Sequence, residues 1–169
     1  MTTATSVSAT EPGISAMRFA RSATLKFLEG LTDEQLMHRP TPEANHATWI
    51  LGHLAYVDDS IYTKVSGHDS VIPSNYKALF DSGTTPSDNA SDYPSKDELL
   101  TNLEKAHTAF IGWFESLSDE QMASAPPEGL EIFGANFACV VATLAWHEGV
   151  HNGQLIEIRR TLGLPRAFG

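Results

Sequence analysis

Apolar residues recur at helical spacing in four long stretches, and no stretch alternates apolar and polar residues long enough to mark a strand. From Ile14 to Leu31 the stripe runs Met17, Ala20, Thr24, Phe27, Leu28 and Leu31, with Arg18, Arg21 and Lys26 elsewhere. From Asn45, the expected cap, to about Ser66 it runs Ile50, His53, Val57 and Ile61, flanked by Trp49, Leu54 and Tyr56. Ser95 to Leu117 opens on a Ser cap followed by acidic residues, then carries Leu100, Leu103, His107, Phe110, Phe114 and Leu117. The fourth stretch, Asn136 to Leu162, stops at Gly163 with Pro165 beyond it. Four such helices predict an all-α four-helix bundle.

The segments after the first and third helices echo each other. Leu28 to Pro40 and Phe114 to Pro126 align at an offset of 86, sharing Glu29/Glu115, Leu31/Leu117, Asp33/Asp119, Glu34/Glu120, Gln35/Gln121 and Pro40/Pro126. In each, a Thr or Ser with Gln three residues on predicts a capping box and a short new turn of helix. The chain therefore reads as two helical hairpins. Gly67 to Pro94 joins them in 28 residues rich in Ser, Asp, Gly and Pro, with one short helical turn expected at Asn75 to Phe80. That length allows a crossover along the bundle, leaving helices 2 and 3 parallel.

The chain has 169 residues, which suits one domain. Residues 1–12 are polar and Ser/Thr-rich, so a disordered tail is expected there, with the domain occupying 13–169. The single cysteine, Cys139, permits no intrachain disulfide, and no apolar run reaches membrane-spanning length, so a cytoplasmic protein with no membrane partner is expected. The net charge of −10 opposes nucleic-acid and anionic-membrane binding and leaves a small molecule or a protein as partner.

His147-Glu148-Gly149-Val150-His151 matches the zinc-protease pattern HExxH. With His147 at zero on a helical wheel, His151 falls at about 40° and Glu148 at about 100°, so both histidines lie on the inward stripe. His at i and i+4 can converge on one metal, but a pair of core histidines at that spacing can also be structural. His53, the one polar residue on its stripe, points into the same core, and three inward histidines describe a metal site with open positions. A protease needs a third ligand downstream, where Glu157 is the only acid and no His follows. A di-iron carboxylate bundle would use Glu104/His107 and Glu148/His151, but helix 1 offers no acid in mid-stripe and helix 2 only Asp58 and Asp59. Three imidazoles suit zinc, nickel, copper or iron instead.

The stretch Trp49 to Tyr62 ("WILGHLAYVDDSIY") and the stretch Trp146 to Pro165 ("WHEGVHNGQLIEIRRTLGLP") resemble the DinB/YfiT-like superfamily of metal-dependent enzymes, a likeness that extends over about residues 14 to 165. The resemblance implies an up-down-down-up bundle with a long crossover between helices 2 and 3. It also implies a divalent metal on His53, His147 and His151, zinc or nickel foremost with iron or manganese as alternatives, and frequent homodimers. Characterised relatives include transferases and isomerases that use a low-molecular-weight thiol, so a thiol-dependent S-transferase or a hydrolase acting on a small molecule is expected. A metal- or ligand-binding bundle without catalysis is the alternative.

Glu148 is a candidate general base, set against a plain ion pair at the rim. Gln154 and His107 are candidate pocket residues or supports for the ligands, and His46 a capping or rim residue. Ala142, Ala145, Gly149 and Gly153 cluster on the face away from the histidines, which predicts close packing within the bundle or across a dimer.

Overall fold

The structure, a computed structural model, describes residues 11–168. Those residues form seven α-helices and two 3-10 turns, with no strand among them. α1 (Glu11–Leu28), α3 (Ala47–Ser66), α5 (Lys96–Glu115) and α7 (Phe137–Thr161) are the long helices; α2 (Asp33–Leu36), α4 (Tyr76–Phe80) and α6 (Asp119–Met122) are single turns. No helix among the described residues is long and apolar enough to cross a membrane.

α1 starts inside the segment expected to be a tail. Pro12 occupies the first turn, where its missing N–H is no loss, and Glu11 complements the positive end of the helix dipole. Residues 1–10 lie outside the described residues. The repeated connections form as their chemistry predicts: Thr32 with Gln35 and Ser118 with Gln121 both close capping boxes, and each turn buries its last apolar residue, Leu36 or Met122. α3 is capped by His46, whose Nδ1 accepts from the Trp49 N–H at 3.1 Å. It ends at Gly67, which takes φ +72°.

Helix direction follows from the contacts. Gly13 lies against Val141, Arg21 binds Glu148, and the Phe27 carbonyl meets Arg159, so α1 and α7 run parallel. Ile50 and Leu54 pack in one cluster with Leu99 and Leu103, and Ile61 in another with Phe110 and Phe114, so α3 and α5 are also parallel. Phe27 joins the first cluster while Ile14 and Met17 join the second, which sets α1 antiparallel to α3. The order is up-down-down-up, and the α3–α5 connection spans the length of the bundle.

Between the two apolar clusters lies a buried polar layer with a residue from each long helix: Arg21, Asp58, His107 and Glu148, joined by Thr24 and Asn152. Arg21 donates to Glu148 Oε1 at 2.7 Å, to Asp58 Oδ2 at 3.1 Å and to the Leu103 carbonyl at 3.1 Å. The layer ties all four helices together. It meets the rule that a buried charge is tolerated when it is paired and fully hydrogen-bonded.

Of the small-residue face of α7 only Ala145 packs inside the bundle, in the cluster with Phe110 and Phe114. Ala142, Gly149 and Gly153 are exposed, and a Cβ placed on either glycine meets nothing within 4 Å. Close packing within the fold is not the reason for these glycines, because α1 and α3 contact other faces of α7.

Candidate metal centre

α3 and α7 bring His53, His147 and His151 together, the one group of three potential metal ligands among the described residues. The Nε2 of His147 is 3.3 Å from that of His53 and 3.2 Å from that of His151. Ligand nitrogens about 2.1 Å from a shared ion at near-tetrahedral angles are separated by about this distance. His53 and His151 are 3% and 7% exposed, whereas His147 is only half-buried, so the cluster opens to solvent on the His147 side.

Hydrogen bonds fix which nitrogens carry protons. The Phe80 carbonyl can only accept, so His53 donates to it from Nδ1 at 2.8 Å and keeps its Nε2 lone pair free. His151 donates from Nδ1 to Gln154 Oε1 at 2.9 Å, with the same result. An N–H on His147 Nε2 satisfies only one of the two lone pairs facing it. A cation satisfies all three, and this donor set fits a divalent metal.

Burial and mutual repulsion keep the rings neutral. The pKa of His147 is pushed down to about 4 by burial and then by His53, against a smaller pull upward from Asp58. That of His151 is also pushed down to about 4, by burial and then by His147 and His53, with the Gln154 hydrogen bond opposing. His53 is shifted down by burial, against its bond to Phe80. All three therefore offer lone pairs at neutral pH without competition from protons.

The crossover builds one wall of the centre. Trp49 stacks on His53 with ring centroids 4.6 Å apart and donates from its indole N–H to Thr84. Phe80, fully buried at the end of α4, fills the space left by Gly52: a Cβ at that position would run into its ring. The glycine before His53 thus lets α4 approach closely enough for its carbonyl to hold the imidazole. Sequence reading did not single out Phe80; a glycine inside a buried helix, beside a candidate ligand, was the available signal.

Among the remaining candidates, Gln154 contacts His151. His107 is buried away from the three-histidine cluster, with Nδ1 3.1 Å from Asp58 Oδ2. Glu148 is not at the rim: it is 0% exposed, its Oε1 accepting from Arg21 and from Thr24 at 2.6 Å. Turned toward α1, it belongs to the polar layer, and its place in HExxH follows from its position between two ligands.

Fold and site together define an up-down-down-up helical bundle with a three-histidine centre. The chain belongs to the DinB superfamily, whose family model matches residues 16–155. Among solved structures, a conserved protein from Enterococcus faecalis superposes with a TM-score of 0.75 at 17% identity, covering 94% of this chain and 99% of that one. YfiT from Bacillus subtilis, described as a probable metal-dependent hydrolase with an unusual four-helix bundle topology, superposes with a TM-score of 0.63 at 16% identity, covering 98% and 94%. At such identities the likeness shows the shared fold. No curated protein matches the chain significantly.

Proposed function

We propose that this protein is a metal-dependent enzyme acting on a small molecule, either as a thiol-dependent S-transferase or as a hydrolase. The observation that carries the reading is the convergence of three neutral imidazoles, two of which, His53 and His151, have their tautomers set by Phe80 and Gln154. A divalent ion held by His53, His147 and His151, zinc or nickel foremost with iron or manganese as alternatives, supplies Lewis acidity that lowers the pKa of water or a thiol toward neutrality. The half-buried His147 leaves an approach for substrate, which favours catalysis over a closed metal- or ligand-binding bundle. The description of YfiT as a hydrolase supports the hydrolytic version, and the thiol-dependent version rests on the family resemblance.

The chain's own residues have separable parts in this reading. Trp49 and the Phe80 carbonyl hold the plane and tautomer of His53, and Gln154 does so for His151. Glu148 and Asn152, each next to a ligand in sequence, pin α7 against α1 through Arg21, Thr24 and the Ala20 carbonyl. We assign Glu148 this anchoring part rather than that of a base, since Arg21 and Thr24 already engage its oxygens. A cytoplasmic homodimer is part of the same reading.

Elemental analysis of tag-free protein, beside His53→Ala and His151→Ala, tests it. About one metal per chain in the parent and none in either variant is the expected result, for a site with three protein ligands. Metal-free parent protein after reconstitution would overturn the proposal. With metal established, thiols paired with electrophiles against ester and amide substrates distinguish the two chemistries.

A further inference from the structure

The end of the bundle where α1 and α7 finish holds a cavity of about 340 Å³ that the metal centre does not use. Phe27, Ile156, Leu164 and Phe168 supply its apolar wall, and the Phe168 ring closes edge-on against Phe27 with centroids 5.3 Å apart. Arg159, Arg160 and Arg166 line the same space, three cations in a chain whose net charge is −10. On the α7 wheel Ile156 and Arg160 lie about 180° and 220° from His147, on the opposite side from the ligands.

Arg159 makes this cavity more than an apolar dent. The residue is 9% exposed, and its guanidinium reaches the carbonyls of Phe27, Glu29 and Pro165 at 3.0, 2.9 and 3.1 Å. Among the described residues its buried Nε–H has no acceptor and its guanidinium pairs with no carboxylate. This buried cation is held, among the described residues, only by neutral carbonyls, without the opposite charge that usually accompanies one. Arg166 forms no ion pair among the described residues, and Arg160 has only Glu157, 3.8 Å away at the exposed surface. We infer that this cavity is a second binding site, for a small amphipathic anion: a carboxylate or phosphate set among the three arginines, with an apolar body against Phe27, Ile156, Leu164 and Phe168. The volume suits a ligand near the small end of the usual range, about 300 to 1,000 Å³.

Calorimetric titration of the metal-loaded full chain with octyl phosphate and with octanoate, below their micellar concentrations, tests the site. Octanol serves as the uncharged control. Saturable binding of at least one anion is expected, weaker by about tenfold or more in the Arg160→Ala/Arg166→Ala double variant, since charge-assisted contacts to the anion are lost. Both substitutions are at exposed positions, so the fold is retained, and an unchanged circular dichroism melt checks this. Binding in His151→Ala should match the parent, which separates this cavity from the metal centre. The proposal is overturned by absence of saturable binding, by equal binding of octanol, by indifference to the double substitution, or by loss of binding in His151→Ala. The relative affinity of the phosphate and the carboxylate identifies the head group the arginines prefer.

Discussion

Replacing Gly52 with alanine adds a single methyl group in the middle of α3, where helix propensity alone favours alanine by about 1 kcal/mol. The structure reverses that sign. The new Cβ would overlap several carbons of the Phe80 ring, which is fully buried and therefore has to displace its neighbours in order to move. Overpacking of this kind costs about 1–3 kcal/mol, and the upper limit, full expulsion of the ring, about 3–5 kcal/mol. After subtracting the propensity gain the net loss is about 2 kcal/mol, or about 4–8 °C of melting temperature for a chain of this size. The same displacement carries the Phe80 carbonyl away from His53 Nδ1 and frees the ring to change tautomer. Loss of such a support typically weakens a metal site about 10–100-fold. Thermal melting of the metal-free protein and metal titration against a competing chelator read the two effects separately. Gly149→Ala is the control: it too lies mid-helix, but in open space, so it should leave metal affinity unchanged and raise stability by about 0.5–1 kcal/mol. If Gly52→Ala melts and binds metal like the parent, the link from Gly52 through Phe80 to His53 is wrong.

Glu148→Gln keeps the shape of the side chain but leaves Arg21 buried with Asp58 as its one remaining carboxylate. Removing one partner of a buried pair predicts a loss of about 3 kcal/mol by denaturant titration, and a loss below about 1 kcal/mol would show that the layer contributes little. The pH response of the metal-free protein follows from His147 and His151, whose folded values near 4 lie below the unfolded 6.5. Between those values the unfolded chain binds more protons, so stability is level above about pH 6.5 and falls as the pH drops toward 4. A His147→Asn/His151→Asn variant should lose most of that decline between about pH 6.5 and 5, before carboxylates titrate; an unaltered decline would locate the cause elsewhere.

The four long helices and the histidine trio were legible because each is written in a single helix's periodicity: His53 interrupts the Ile50, Val57, Ile61 stripe, and His147 and His151 share one face. The twin capping boxes were legible for the same reason, since all their partners lie three residues apart. The polar layer was not read, although Arg21 stands four residues after Met17 and three before Thr24, and Asp58 stands between Leu54 and Ile61 at the same intervals. A charge at a stripe position carries no information about its partner, and here each partner comes from another helix. Glu148 was misplaced at the rim because its neutralising Arg21 is 127 residues away in sequence. Phe80 acts through its backbone carbonyl, which no side-chain pattern reports. The arginine cavity depends on how Leu164 to Phe168 fold back after the last helix, a segment without periodicity.

The parallel pairing of α1 with α7 has a consequence for how the chain is made. Thr24 and Glu148 are joined across 124 residues, so the first long helix waits for its most extensive packing partner until the last one has been synthesised. Two of the three candidate metal ligands also reside on α7. A nascent chain that stops before α7 therefore leaves the α7-facing side of α1 uncovered and has His53 alone of the three candidate ligands. Long-range closure of this kind slows folding relative to a bundle of sequential hairpins. On the proposed function, metal capture would then be a late event, one that reports that the whole bundle has closed.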